Sequence, residues 1–110
     1  MTATDPLAEE PAPVVLINVF TVDPAHQDEL VDLLTRATGD SVRHVPGFAG
    51  STLHRSLDGT KVTMYARWSS ADAYAAMRAN PLQSPYLDRA LEIADFAPGM
   101  YEVVATFDPA

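Results

Sequence analysis

Apolar and polar positions alternate from Lys61 to Trp68, so that Val62, Met64, Ala66 and Trp68 share one face of a strand and Thr63, Tyr65 and Arg67 the other. An earlier run, Val14-Val15-Leu16-Ile17-Asn18-Val19-Phe20, is apolar on both alternating faces except at Asn18. A strand of that kind needs cover on each side. The chain's own helices can cover one face; the other predicts a partner copy, hence a homodimer packed sheet to sheet. After this strand, Leu30, Leu33, Leu34 and Ala37 recur at helical spacing. They follow Asp23-Pro24, an N-cap with a first-turn proline, and acidic Asp28 and Glu29 at the helix's positive end. Gly39 weakens the later turns, and the pattern continues through Val42 to His44 until Pro46-Gly47 stops it. Phe48 to Arg55 reads as a second strand, joined by the hairpin signal Asp58-Gly59 to the strand Lys61 to Trp68.

Ser69 then predicts an N-cap, with Asp72 closing a capping box. Two short helices are expected, about Ser70 to Ala79 and Pro85 to Asp95, separated by Asn80-Pro81, which disfavours a continuous helix. Pro98-Gly99 turns the chain into a last strand, Met100 to Phe107. Strand, helix, strand, strand, helices, strand is an α+β order, the ferredoxin-like antiparallel sheet with helices on one face. Residues 1–13, with Pro6, Pro11 and Pro13 among Asp5, Glu9 and Glu10, bury too little apolar surface to order and read as a flexible acidic tail. Residues 14–110 then form a single domain.

Composition narrows the function. A chain of 110 residues supports one modest core. Its formal charge is −8, and its 7 Lys and Arg are scattered, which argues against a nucleic-acid partner. With no Cys there is no disulfide, thiolate nucleophile or thiolate metal site. No apolar run approaches the roughly 18 residues of a membrane span, and no signal segment opens the chain, so a cytoplasmic protein is expected.

Few side chains invite chemistry. Asn18 stands alone in an apolar strand, on the face of Leu16 and Phe20, and an unpaired buried amide costs roughly 1–3 kcal/mol. Hydrogen bonding to backbone or water is the ordinary solution. Trp68 ends its strand beside a helix start, where a lone Trp is ordinarily a core anchor. Tyr74 and Met77, with Ala73, form a helical stripe of the sort that usually faces a core. Of the 3 His, His26 belongs to a first helical turn and His44 to a helix end. His54 shares a strand face with Phe48, Gly50 and Thr52 and becomes a candidate general base if that face lines a pocket. None of the His spacings suggests zinc.

The segment KVTMYARWSSADAY from Lys61 to Tyr74, with Val45-Pro46-Gly47-Phe48 and the strand Val14 to Thr21, resembles the antibiotic biosynthesis monooxygenase superfamily over roughly residues 14 to 107. That resemblance implies a dimeric α/β barrel of ferredoxin-like subunits that oxidises an aromatic substrate with dioxygen and without metal or flavin. It implies a cofactor-free monooxygenase converting an anthrone-type polycyclic phenol to a quinone in an aromatic polyketide pathway. Asn18 matches a first-strand Asn that contacts substrate or oxygen in several relatives, and Trp68 matches a pocket-wall Trp, so both are assigned to oxyanion stabilisation. Tyr74 matches an aromatic at the pocket and is assigned to substrate orientation, and His54, from its strand face, is the candidate for proton transfer, with the identity of the proton acceptor left open. Phe20, Met64, Met77 and Leu87 would shape the pocket, and Arg89 approximates an Arg that some relatives carry on the last helix, although an ungapped count falls on Asp88. Met64 stands where anthrone-oxidising relatives commonly carry Asn, which leaves Asn18 to supply the amide. Heme binding, found in another branch, is set aside because no His follows Lys61. A non-redox polyketide cyclase and a small dimeric binding or stress-response protein are the alternatives on the same fold.

Overall fold

The doubly apolar run forms the central strand β1, Val14–Val22, which pairs antiparallel with β3, Lys61–Trp68, over Val14↔Trp68 to Thr21↔Lys61. The structure, a computed structural model, describes residues 13–79 and 85–110. The expected tail, apart from Pro13, and the Asn80-Pro81 break lie outside the described residues. β3 in turn pairs with the edge strand β2, Phe48–Arg55. On the other side of β1 lie two short strands, β4, Ala94–Ala97, and β5, Met100–Tyr101, giving the order β2-β3-β1-β4 with β5 also on β1. Among the described residues three α-helices, α1 (Gln27–Asp40), α2 (Ala71–Arg78) and α3 (Pro85–Ile93), complete the antiparallel ferredoxin-like architecture expected from the sequence.

The inner face of the sheet carries the core. Phe20, Val22 and Val62 pack with Leu30 and Leu34 of α1 and Ala90 of α3 in one cluster. Leu16, Ala66 and Trp68 pack with Phe48, Val42, Tyr74 and Met77 in a second, and Met64 touches both. Ion pairs add surface ties: Arg89 Nε lies 3.2 Å from Glu29, linking α3 to α1, and Arg55 lies 2.9 Å from Asp28.

Helix starts differ in detail from expectation. Asp23 accepts a hydrogen bond from the Ala25 N–H at 2.8 Å, but it caps a 3₁₀ turn, Pro24–His26, before α1 begins. The last part of the expected helix is likewise a separate 3₁₀ turn, Val42–His44. Ser70, not Ser69, caps α2: its hydroxyl accepts from the Ala73 N–H at 3.0 Å. The Ser69 N–H instead donates to the Gly47 carbonyl at 2.7 Å. Gly47 sits at φ +92, and a Cβ there would collide with that of Ala73, so the Pro46-Gly47 turn can press against the start of α2 only with glycine in place. The hairpin turn is held by Asp58, whose carboxylate accepts from the Thr60 hydroxyl and N–H and from the Ser56 hydroxyl. Those bonds, the Thr60 hydroxyl foremost, lower its pKa to about 2. Buried Gln27 locks α1 onto the same turn, its Nε2 donating to the carbonyls of Ser56 and Lys61 at 3.0 Å each.

The last strand is the largest departure. It was expected at Met100 to Phe107, after a helix reaching Asp95. In the structure α3 ends at Ile93, and Ala94–Ala97 pairs with Val19–Val22, because Phe96 stacks on Phe20 with ring centroids 4.8 Å apart. β4 and β5 flank Pro98-Gly99 on the same side of β1, and the Gly99 carbonyl accepts from the Ile17 N–H at 2.9 Å. Tyr101 lies opposite Val15, near the start of β1, and among the described residues no strand pairs with the chain beyond it. Residues 102–110 carry no regular structure and are exposed.

Candidate functional site

A cavity of about 90 Å³ lies where the two core clusters meet, between the inner face of the sheet and the three helices. Leu16, Asn18 and Phe20 of β1 and Met64, Ala66 and Trp68 of β3 form its floor. Leu34, Ala37 and Thr38 of α1 form one wall, Tyr74, Met77 and Arg78 of α2 another, and Leu87 of α3 and Phe96 of β4 close it. Apolar cavities of about 150 Å³ hold a single benzene ring, so this one is too small for a whole polycycle. Leu34, Thr38 and Met64 are shared with an open groove of about 350 Å³ between α1 and β2, bordered by Arg43, Phe48 and Ser51. Met64, an unbranched and adaptable side chain, lies between the two spaces and lines both.

Asn18 sits at the middle of β1, directly opposite Met64. Its Oδ1 is buried and accepts no hydrogen bond, the one buried side-chain polar atom so placed among the described residues. An acceptor without a partner in an apolar cavity is a costly arrangement, and a ligand carrying a donor relieves it. An Asn side chain carries two N–H donors beside that acceptor, so with the amide turned the same position presents an N–H to an anionic oxygen.

Trp68 is 2% exposed and held edge-on between two rings, Phe48 at 5.4 Å and Tyr74 at 5.8 Å between centroids. Such contacts fix an aromatic in one orientation. Trp68 is therefore both a core anchor and a wall of the cavity. Among its wall residues the cavity holds no carboxylate and no imidazole, and among the described residues no group of three or more His, Asp and Glu converges.

The structure brings together Asn18, Trp68 and Tyr74 with Phe20, Met64, Met77 and Leu87. It does not bring His54 or Arg89. Between Phe48 and Gly50 the register of β2 shifts by one, leaving Ala49 as a bulge. Phe48 therefore stays on the inner face opposite Trp68, whereas Thr52 and His54 turn to the outer face opposite Tyr65 and Thr63. His54 there contacts the Thr63 carbonyl through Nδ1 at 3.3 Å, on the side of the sheet away from the cavity. Arg89 is engaged at the surface by Glu29 and Glu92, the Glu92 contact foremost in raising its pKa. The sequence reading missed Arg78, Thr38 and Phe96. Arg78 was within reach of it, since it lies one helical turn after Tyr74 and thus on the same face.

Comparison with known proteins agrees with this arrangement. Residues 13–88 match the antibiotic biosynthesis monooxygenase family. Tetracenomycin-F1 monooxygenase of Streptomyces glaucescens is 39% identical over 101 residues, covering 92% of this chain and 90% of the relative. Among solved structures, the monooxygenase from the gene ActVA-Orf6 of Streptomyces coelicolor, in complex with nanaomycin D, superposes with a TM-score of 0.78 at 30% identity, covering 90% of this chain and 94% of that one. The cofactor-independent oxygenase SnoaB of Streptomyces nogalater superposes with a TM-score of 0.76 at 26% identity, covering 89% and 99%.

Because the buried amide is unsatisfied, Asn18→Val, which removes it and keeps a strand-favouring side chain, is expected to raise the melting temperature by several degrees, of the order set by a roughly 1–3 kcal/mol gain. A melting temperature that stays level or falls in calorimetry would mean that the amide is already satisfied.

Proposed function

The chain belongs to the antibiotic biosynthesis monooxygenase family and is an oxygen-using oxidoreductase, and from that premise we propose that it oxidises an anthrone-type polycyclic phenol to a quinone in an aromatic polyketide pathway, in the cytoplasm and without metal or flavin. The observation that carries this reading is the buried, unpartnered amide of Asn18 in a cavity otherwise walled by Trp68, Tyr74 and apolar side chains. A flat apolar substrate with a polar edge suits such a site.

The substrate does the electron chemistry. Its reacting CH₂ lies between aryl rings and is acidified by the ring carbonyl, so loss of a proton leaves a carbanion delocalised as an enolate. With its amide turned to present Nδ2–H, Asn18 donates to that oxygen together with the Trp68 indole N–H, in a site from which water is largely excluded. Tyr74 orients the ring system, and Phe20, Met64, Met77 and Leu87 hold it. The carbanion passes an electron to dioxygen, and recombination forms a C–O bond to a peroxide. Loss of the second hydrogen on that carbon, with O–O cleavage, gives the ketone and hydroxide. The sum is one CH₂ and one O₂ to one C=O and one H₂O. With His54 on the outer face and no carboxylate on the wall, the first proton goes to solvent, which the acidity of the substrate permits. The distal rings extend past Met64 into the groove beside α1.

We propose further that the enzyme is a homodimer. Ile17, Val19 and Tyr65 lie on the outer face only half-buried, and Tyr101, Val103, Val104 and Phe107 are exposed, Val104 and Phe107 at 89% each. Apolar surface of this extent on a segment without a partner strand among the described residues suits a second copy.

Purified, metal-stripped protein given emodin anthrone is expected to consume dioxygen well above the autoxidation rate, and Asn18→Ala to lower kcat by roughly 10²-fold, the usual effect of one lost oxyanion contact. Equal product formation under argon would instead favour the cyclase. For assembly, a solution mass near twice 11.9 kDa is expected at micromolar protein; a stable monomer would refute the dimer.

A further inference from the structure

We infer that Arg78 is a substrate-binding residue that holds an anionic oxygen of the substrate, a phenolate on the ring system, at the α2 end of the cavity. The inference rests on the phenol-oxidising reading above. Among the residues that wall the cavity, Arg78 alone carries a formal charge. It stands one helical turn after Tyr74 and next to Met77, both also on the wall, so the helix repeat itself directs it to the same space.

Among the described residues its guanidinium is uncommitted. Arg36 is paired with Asp32, Arg55 with Asp28, and Arg89 with Glu29 and Glu92, whereas Arg78 makes no ion pair or hydrogen bond among the described residues. A guanidinium has five donors and no acceptor. In a cavity whose remaining polar groups are an amide, a phenol, a Thr hydroxyl and an indole, a phenolate is the ligand group that such a fork complements best. Arg78 also sits in the last turn of α2, where a cation favours the helix dipole. That local role acts on the helix alone and does not depend on what occupies the cavity, which separates the two by experiment.

The charge has a consequence for specificity. Asn18 acts at the centre of the floor and Arg78 at the rim, so a substrate with a hydroxyl near its edge is gripped at two points. Methylating that hydroxyl removes the anion but leaves the reacting carbon and the apolar rings intact.

The test compares dithranol with its 1,8-dimethyl ether in wild-type protein, Arg78→Gln and Arg78→Lys, measuring binding under argon by Trp68 fluorescence quenching and turnover by dioxygen uptake. Arg78→Gln is expected to weaken dithranol binding and raise its KM about tenfold, the effect of one lost charged hydrogen bond. The dimethyl ether should change by less than about twofold on the same scale, and Arg78→Lys should fall between. Melting temperatures of the variants report the helix-dipole role separately. Equal effects on both ligands, or none on either, would overturn the assignment while leaving the oxygenase reading intact. A wild-type protein that neither binds nor oxidises dithranol would remove the substrate reading and the role of Arg78 together.

Discussion

The middle of β1 is where this small protein's needs collide. On the inner face, Leu16 anchors one apolar cluster and Phe20 the other, and Asn18 falls between them opposite Met64. A continuous core would put an aliphatic residue at that point and close the seam. The amide and the flexible thioether instead leave a cavity, and everything that encloses it follows from that junction. Trp68 and Tyr74 wall it on one side and Leu34 and Leu87 on the other. A buried acceptor without a partner violates the rule that holds nearly everywhere in folded proteins, and violations of that kind gather where a ligand completes the structure.

The fold serves the junction economically. Gly47 lets the turn before β2 press on the N-terminus of α2, which sets the distance from Phe48 through Trp68 to Tyr74. The bulge at Ala49 keeps Phe48 inside while turning the rest of β2 over. One inserted residue thus decides which side chains of that strand meet the cavity. Among the described residues the cavity wall carries no carboxylate and no imidazole, so the proposed reaction draws its acidity from the substrate. Oxidation of an anthrone by dioxygen has that character.

Much of this was legible from the sequence. Period-two alternation in Lys61–Trp68 and the unbroken apolar run before it located β3 and β1, and the i, i+3, i+4 pattern of Leu30, Leu33 and Leu34 located α1. Asn18 stood out because a lone amide in an apolar strand has to be answered somewhere. His54 was misplaced because alternation assumes an unbroken ladder, and nothing in Phe48-Ala49-Gly50 announces a bulge except a glycine that tolerates φ +127. The last strand was misread because Ala94-Asp95-Phe96-Ala97 is short and helix-compatible, and its pairing is decided by Phe20, distant in sequence. Arg78 escaped notice because a cation in a last helical turn already has a sufficient local explanation. Tertiary contacts, not local propensity, settled each of these.

The central claim is that dioxygen supplies the new carbonyl oxygen at the Asn18 cavity, and isotope labelling tests it most directly. With emodin anthrone under ¹⁸O₂, the quinone sampled early in the reaction should carry one ¹⁸O at the oxidised carbon, at a rate that Asn18→Ala sharply reduces. Unlabelled quinone, or label that appears at the same rate in the variant and without enzyme, would contradict the account.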